Sequence, residues 1–149
     1  MKIYIVMSEL ALLEKAIELA VIHHKGQKDK AGHPYILHPL RLMMSVDDID
    51  EKIVAVLHDI VEDTSITLED LRKAGFGETV VTAVECVTKK DGEGYDAFID
   101  RISYNPIATH VKIADLEDNM DLTRLPKITD KDLERFKKYD KALAKLKSV

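Results

Sequence analysis

Three short segments of the chain concentrate the side chains able to hold a cation or move a proton. Val56-Leu57-His58-Asp59-Ile60-Val61-Glu62-Asp63 sets an imidazole beside a carboxylate within an otherwise apolar stretch. Read as one helix, its i, i+4 steps place Glu62 over His58 and Asp63 over Asp59, so four titratable groups share a face. A buried face of that kind is costly to desolvate unless its charges are paired or coordinated to a cation. Taken alone, a His-Asp dipeptide reads as an internal hydrogen bond or a solvent-facing pair. In Lys30-Ala31-Gly32-His33-Pro34-Tyr35-Ile36-Leu37-His38-Pro39, His38 falls between a turn and a helix start, and by itself reads as a capping histidine. Val111 to Asn119 places Asp115 and Asn119 one turn apart, by themselves a solvated acidic face. Together the segments supply His38, His58, Asp59 and Asp115, a mixed nitrogen and oxygen set suited to one divalent ion with positions left for water. Glu62 and Asp63, one turn from those residues, are placed to exchange protons through water, in either role.

The elements that must position these groups are helical almost throughout. Ser8 is expected to cap a helix with Leu10, Leu13, Ile17 and Ala20 on one stripe, ending near Gly26. Gly32 and Pro34 mark a turn, and Pro39 opens a short segment through Leu42 and Met43. The Asp47 to Asp50 cluster caps a helix carrying Ile53, Val54, Leu57 and Val61, and Thr67 with Asp70 forms a capping-box pattern. Phe76, Val80, Ala83, Val84 and Val87 keep the helical period, as do Tyr95, Phe98 and Ile102. Asn105-Pro106 starts the helix that bears Asp115. Thr129 and Asp132 start the last one, with Leu133, Phe136, Leu143 and Leu146 inward. Period-two alternation is confined to the first few residues, where a short strand is the expectation. The reading is all-α, about seven or eight helices, in one domain over residues 1–149.

Composition narrows the partners. The formal charge is −5, with 22 Lys and Arg against 27 Asp and Glu. That balance argues against a nucleic-acid groove, which needs a basic face. With no Trp, five Tyr and three Phe, base-stacking platforms are also scarce. The longest apolar runs, Ile53 to Leu57 and Ile3 to Met7, are far too short for a membrane span, and the N-terminus lacks the pattern of a signal peptide. The single Cys86, on an apolar helical stripe, forms no intramolecular disulfide and reads as a buried structural thiol. A soluble cytosolic protein is expected, with no nucleic-acid or membrane partner. An anionic ligand then needs a local positive site, for which Lys25, Lys28, Lys30, Arg41 and Lys112 are candidates. Lys89 to Gly94 reads as a mobile loop, and the lysine-rich C-terminal segment as an amphipathic closing helix.

The segments His24-Lys25-Gly26-Gln27, Gly32 to Pro39, Leu57 to Thr64, Val87-Thr88-Lys89 and Val111 to Leu116 carry the patterns H-x-G-Q, G-x-P-Y-I-x-H-P, L-H-D-x-x-E-D-T and V-K-x-A-D. In that order, over roughly residues 8 to 125, the chain resembles the hydrolase domain of the RelA/SpoT homologues, within the HD superfamily. The resemblance implies an all-α HD-domain bundle. It implies a manganese-dependent phosphohydrolase that uses metal-activated water to remove the 3′-pyrophosphate of the alarmones ppGpp and pppGpp. By position, His38, His58, Asp59 and Asp115 match the family's metal ligands, Glu62 and Asp63 its catalytic acidic pair, and Asn119 a site asparagine. Lys30, inside the matched motif, is the favoured phosphate contact, with Arg41 and Lys112 as further substrate-binding candidates. No synthetase domain fits after residue 125, so hydrolysis alone is expected. Two positions depart from the family pattern. Asp29 stands where a basic residue usually precedes Lys30, and Asp121-Leu122 follows Asn119-Met120 where Arg-Thr is common. Both bear on base or ribose recognition, which keeps open a different nucleotide, another small phosphate ester, or a nucleotide-binding module without turnover.

Overall fold

The computed structural model describes residues 7–149, so the expected N-terminal strand lies outside the described residues. Among those described there is no strand, only an isolated antiparallel bridge between Lys28 and Pro34. The helices are α1 (Glu9–His23), α2 (Leu37–Met44), α3 (Ile49–Leu57), α4 (Ile60–Asp63), α5 (Leu68–Lys73), α6 (Glu78–Val87), α7 (Tyr95–Ser103), α8 (Pro106–Asn119) and α9 (Asp130–Lys147), with a 3-10 turn at Leu122–Arg124. No helix among the described residues is long and apolar enough to cross a membrane.

Local chemistry sets most of the boundaries. Ser8, Asp48, Thr67, Asn105 and Thr129 each accept a backbone N–H from the first turn of the helix they precede, and Thr67 and Thr129 complete reciprocal boxes with Asp70 and Asp132. Past α1, Gly26 takes φ +87, a left-handed value that reverses the chain without a Cβ penalty. The Asn105 cap starts the helix bearing Asp115, so Asn105→Ala should cost about 1 kcal/mol in urea denaturation without changing helix content.

Burial explains the apolar run at Ile53 to Leu57. All five side chains are shielded from solvent because α3 passes through the middle of the molecule, packed on α1, α2, α6 and α8. A helix apolar on every side has no solvent face to present. Ala16 and Ala20, fully buried one turn apart on α1, join this core. A second cluster forms where α7, α8 and α9 meet, with Phe98, Ile102, Leu116 and Leu146 inside it and Cys86 packed against it. Cys86 is half-buried rather than buried, and that partial burial pushes its thiol up.

Several boundaries and faces differ from the sequence expectation. Leu10 and Leu133 are exposed, at 65% and 47%. The inward stripe of α1 is centred on Ala16 and Ala20, and that of α9 on Asp132, Ala142 and Leu146 with Phe136 and Tyr139 beside them, so Leu10 and Leu133 fall on the outer arcs. α2 begins two residues before Pro39, because Pro34 and Tyr35 carbonyls already accept the Leu37 and His38 N–H groups. Pro39 still falls in the first turn, where its missing N–H has no helical partner to lose. The largest difference is at His58-Asp59: the expected continuous helix is two, α3 and α4, and this break makes the helix count nine among the described residues. The His58 Nδ1–H donates to the Ala55 carbonyl at 2.7 Å, taking the acceptor that the Asp59 N–H would use in an unbroken helix. Asp59 accordingly sits at φ −105, ψ 2, and the ladder resumes only with Asp63 N–H to Asp59 O at 2.9 Å.

Candidate functional site

Where α2, α3 and α8 meet, they bring His38, His58 and Asp115 together, each donor atom within 4.8 Å of the others and all three residues buried. Their orientation follows from the second nitrogen of each ring. His58 gives its Nδ1–H to Ala55 O, and His38 gives its Nδ1–H to Asp118 Oδ2 at 2.7 Å. Both Nε2 atoms are thereby aimed inward: His38 Nε2 lies 2.9 Å and His58 Nε2 3.6 Å from Asp115 Oδ1. His58 Nε2 is also 3.0 Å from Asp59 Oδ2, yet it is buried and makes no hydrogen bond. Nitrogen lone pairs and carboxylate oxygens so arranged are a donor set for a cation, with outer hydrogen bonds fixing each ring as in histidine metal sites. The described residues therefore fit a divalent ion.

Charge compensation around the set is local. Asp115 accepts Lys112 Nζ at 2.7 Å on Oδ2 and Asn119 Nδ2 at 3.0 Å on Oδ1. Burial pushes its carboxyl up, but Lys112 and the two histidines override this and hold it well below the usual carboxylate range. His58 is the converse: burial lowers it, and Asp59 and Asp115 carry it well above an ordinary imidazole. Asp59 takes a hydrogen bond from the Tyr35 hydroxyl, which turns its Oδ2 toward His58.

The broken helix changes the geometry of the acidic pair. Asp63 lines the cleft above the set, and its carboxyl is pushed up by partial burial and then by Asp59. Glu62 does not line the cleft; its carboxylate accepts the Lys89 N–H. Partial burial raises it too, against that hydrogen bond. The two carboxylates therefore do not stack over His58 and Asp59 as one helical face. The Lys89 to Gly94 segment is tied down, since Glu93 accepts the Lys90 N–H and the Arg101 guanidinium, which also bonds the Glu85 and Thr88 carbonyls.

A cleft of about 360 Å³ opens beside the set, with His38 and Asp59 among its lining residues. Lys30 and Asn119 line it. Arg41 lines it as well, but its Nε and Nη2 hold both oxygens of Asp118 at 2.9 and 3.0 Å, so it braces the partner of His38. Lys112 does not reach the cleft; its ammonium is committed to Asp115. Burial and then Arg135 lower the Lys30 ammonium, so the two cations lie near one another in a cleft that Asp29, Asp121 and Asp132 also line. Arg135, Phe136 and Tyr139 on α9 line it too, together with Leu122 and Leu125. The sequence points to Phe136 only as an inward residue of the last helix and does not single out Asp118, Arg135 or Tyr139. A one-turn spacing from Asp132 to Phe136 to Tyr139 gives the α9 face, but nothing local says which cleft it faces. Both departures from the family pattern have structural partners: Asp29 Oδ1 accepts the Ala31 and His33 N–H groups, and Asp121 caps the 3-10 turn and pairs with Arg124 at 2.9 Å.

Comparison with known proteins agrees with this architecture. A Streptomyces coelicolor protein named GTP pyrophosphokinase is 36% identical over 126 residues, 76% of this chain and 15% of that protein. An Aquifex aeolicus protein named guanosine-3′,5′-bis(diphosphate) 3′-pyrophosphohydrolase is 34% identical over 120 residues, covering 72% and 17%. The chain thus spans about one sixth of the length of these relatives. A solved structure described as a metazoan ortholog of SpoT that hydrolyzes ppGpp superposes with a TM-score of 0.75 at 24% identity, over 96% of this chain and 88% of that one, which establishes a shared fold. The HD-domain profile matches residues 16–95, taking in His38 and the broken helix at His58-Asp59, and on that match the chain belongs to the HD-domain family.

Proposed function

We propose that the chain is a manganese-dependent phosphohydrolase of the cytosol that removes the 3′-pyrophosphate of ppGpp or pppGpp. The observation that carries this reading is the buried, unbonded His58 Nε2 facing Asp59 and Asp115, with Asp59 and His38 lining a cleft that also presents Lys28, Lys30 and Arg135. His38, His58, Asp59 and Asp115 are the residues that would hold the ion. The chemistry a divalent cation supplies when bound there is Lewis-acid activation of water and of a phosphoryl oxygen. Asp63, at the cleft wall with its proton affinity raised, takes the proton from attacking water or gives one to the leaving oxygen. Lys28, Lys30 and Arg135 attract the phosphates, while Phe136 and Tyr139 offer flat surface to a base. Glu62, held by the Lys89 N–H, ties α4 to the neighbouring loop and tunes the charge beside Asp63. The names of the full-length relatives support the choice of alarmone.

A second reading, hydrolysis of another nucleotide or small phosphate ester, is favoured by the Asp29 and Asp121 carboxylates on the cleft wall. The deciding experiment incubates manganese-loaded protein with ppGpp and a nucleotide panel, with and without chelator, and identifies the phosphorus species released. Chelator-sensitive pyrophosphate from ppGpp is expected. Orthophosphate from a different ester, with ppGpp intact, selects the second reading, and retention of nucleotide with no turnover leaves a binding module. Asp63→Asn should lower kcat by about 10²- to 10⁴-fold, the span of general acid–base catalysis, with metal content unchanged.

A further inference from the structure

The His24-Lys25-Gly26-Gln27 motif contributes nothing to the donor set, yet it holds a buried histidine. His24 is 1% exposed at the end of α1, and its Nε2 is buried without a partner. A polar atom in that condition costs stability, so the ring is there for its other nitrogen. His24 Nδ1 lies 2.8 Å from Gln27 Oε1, and Gln27 Nε2 donates at 3.1 Å to the backbone carbonyl of Asp63. The direction of the chain is settled by its last bond. A carbonyl only accepts, so the amide must present its NH₂ to Asp63 and its oxygen to His24, and the ring must carry its proton on Nδ1.

This matters because α4 is one turn long. A four-residue helix cannot hold itself in place, since nucleating a turn is unfavourable without outside contacts. Its C-terminal carbonyls need partners, and Gln27 and Thr64, which bonds Ile60 O at 2.6 Å, are the ones supplied. The segment from Gln27 to Tyr35 is itself braced: Tyr35 N–H bonds Gln27 O at 2.9 Å, and Asp29 N–H bonds His33 O at 2.9 Å. Its far end reaches the same break from the other side, through the Tyr35 hydroxyl on Asp59. The His24 and Tyr35 rings, 5.0 Å apart, pack the two ends together.

We infer that Gln27, with its amide oriented by His24, is a positioning residue that sets the placement of Asp63 over the cation site. Neither side chain touches substrate; each acts through the α4 backbone. The inference rests on the proposed role of Asp63 for its kinetic consequence, but its structural part stands apart from it.

Two readouts separate those parts. Gln27→Glu keeps the length of the side chain and replaces the NH₂ with an oxygen facing the Asp63 carbonyl. A crystal structure of this variant should show α4 displaced relative to His58, and nitrogen NMR of the wild type should show His24 in the Nδ1–H tautomer, lost in Gln27→Ala. An undisplaced α4, or an Nε2–H tautomer in the wild type, overturns the inference whatever the protein hydrolyses. On the substrate that the wild type turns over, Gln27→Glu and His24→Leu should each lower kcat by on the order of 10- to 100-fold, with KM and manganese content unchanged, the loss expected when a reacting group shifts by an ångström or less. The double variant should lose no more than the worse single one, because the two act as one unit. His24→Asn, which keeps a donor at the Nδ1 position, should recover most of the rate. Unchanged kcat in Gln27→Glu, or a parallel loss of manganese, overturns the positioning role. A wild type that turns over nothing refutes the proposed function and leaves the crystal and NMR results to decide this one.

Discussion

Asp59→Ala protein should emerge from gel filtration helical, monodisperse and without manganese, and should release no pyrophosphate from ppGpp above background. On the proposed function, Asp59 would supply one of two carboxylates, beside Asp115, to an ion that His38 and His58 would hold as neutral donors. Losing it halves the negative charge available to hold a divalent ion. The fall should exceed the roughly 10- to 100-fold that follows loss of an outer-shell partner of a metal ligand. Folding should survive because the residue lies beyond the end of α3 and is only part-buried, while the core of α3 is the Ile53 to Leu57 run before it. The Tyr35 hydroxyl, released from Asp59, borders a cleft that water can enter. Elemental analysis and circular dichroism on the same sample check both halves. Full activity after this change would sink the assignment of the site.

The second large effect is on stability. Asp115→Asn removes the charge that neutralises Lys112, whose Nζ lies 2.7 Å from Asp115 Oδ2 with the two side chains 15% and 7% exposed. A buried ion pair adds little net stability, but deleting one partner strands the other, at about 3–5 kcal/mol. For a domain whose total stability is roughly 5–15 kcal/mol that is a large fraction. Measured with chelator present, the variant should melt on the order of 10 °C lower than the wild type. Adding Lys112→Met should restore much of the loss, since methionine keeps the apolar stem against Phe98, over which Lys112 Nζ lies at 5.4 Å from the ring centre. If the double variant is no more stable than Asp115→Asn alone, the stranded ammonium is not the cause. Neither variant should bind manganese, so stability and cation binding separate within one set of proteins.

How much was legible in the residues depends on the range of the interaction concerned. Helix starts at Ser8, Asp48, Thr67, Asn105 and Thr129 follow from a side chain and an N–H three residues on, which sequence states directly. The all-α class follows from 3.6-residue periodicity for the same reason. His38, His58, Asp59 and Asp115 could be selected as a set because each is a ligand-type residue, and the fold brings the donor atoms of His38, His58 and Asp115 within 4.8 Å of one another. Other features needed the folded chain. Leu10 and Leu133 keep the helical period but face solvent, because which arc of a helix is covered is decided by its neighbours. The break after Leu57 comes from a ring nitrogen competing with a backbone N–H for one carbonyl, in a segment whose apolar pattern favours an unbroken helix. That competition turns Glu62 toward Lys89 and leaves Asp63 on the cleft wall.

The sequence by itself determined which groups are present, their local caps and turns, and the patterns that link them to a family. Tertiary structure alone decided what supports them. Asp118 orients His38 across 80 positions of chain, Gln27 reaches Asp63 across 36, and Arg135, Phe136 and Tyr139 face the cleft from the last helix. The physical reason is that a hydrogen bond between distant residues is specified only when the intervening chain has folded and both groups have lost their water. Spacing encodes contacts three or four residues apart, and packing encodes the rest.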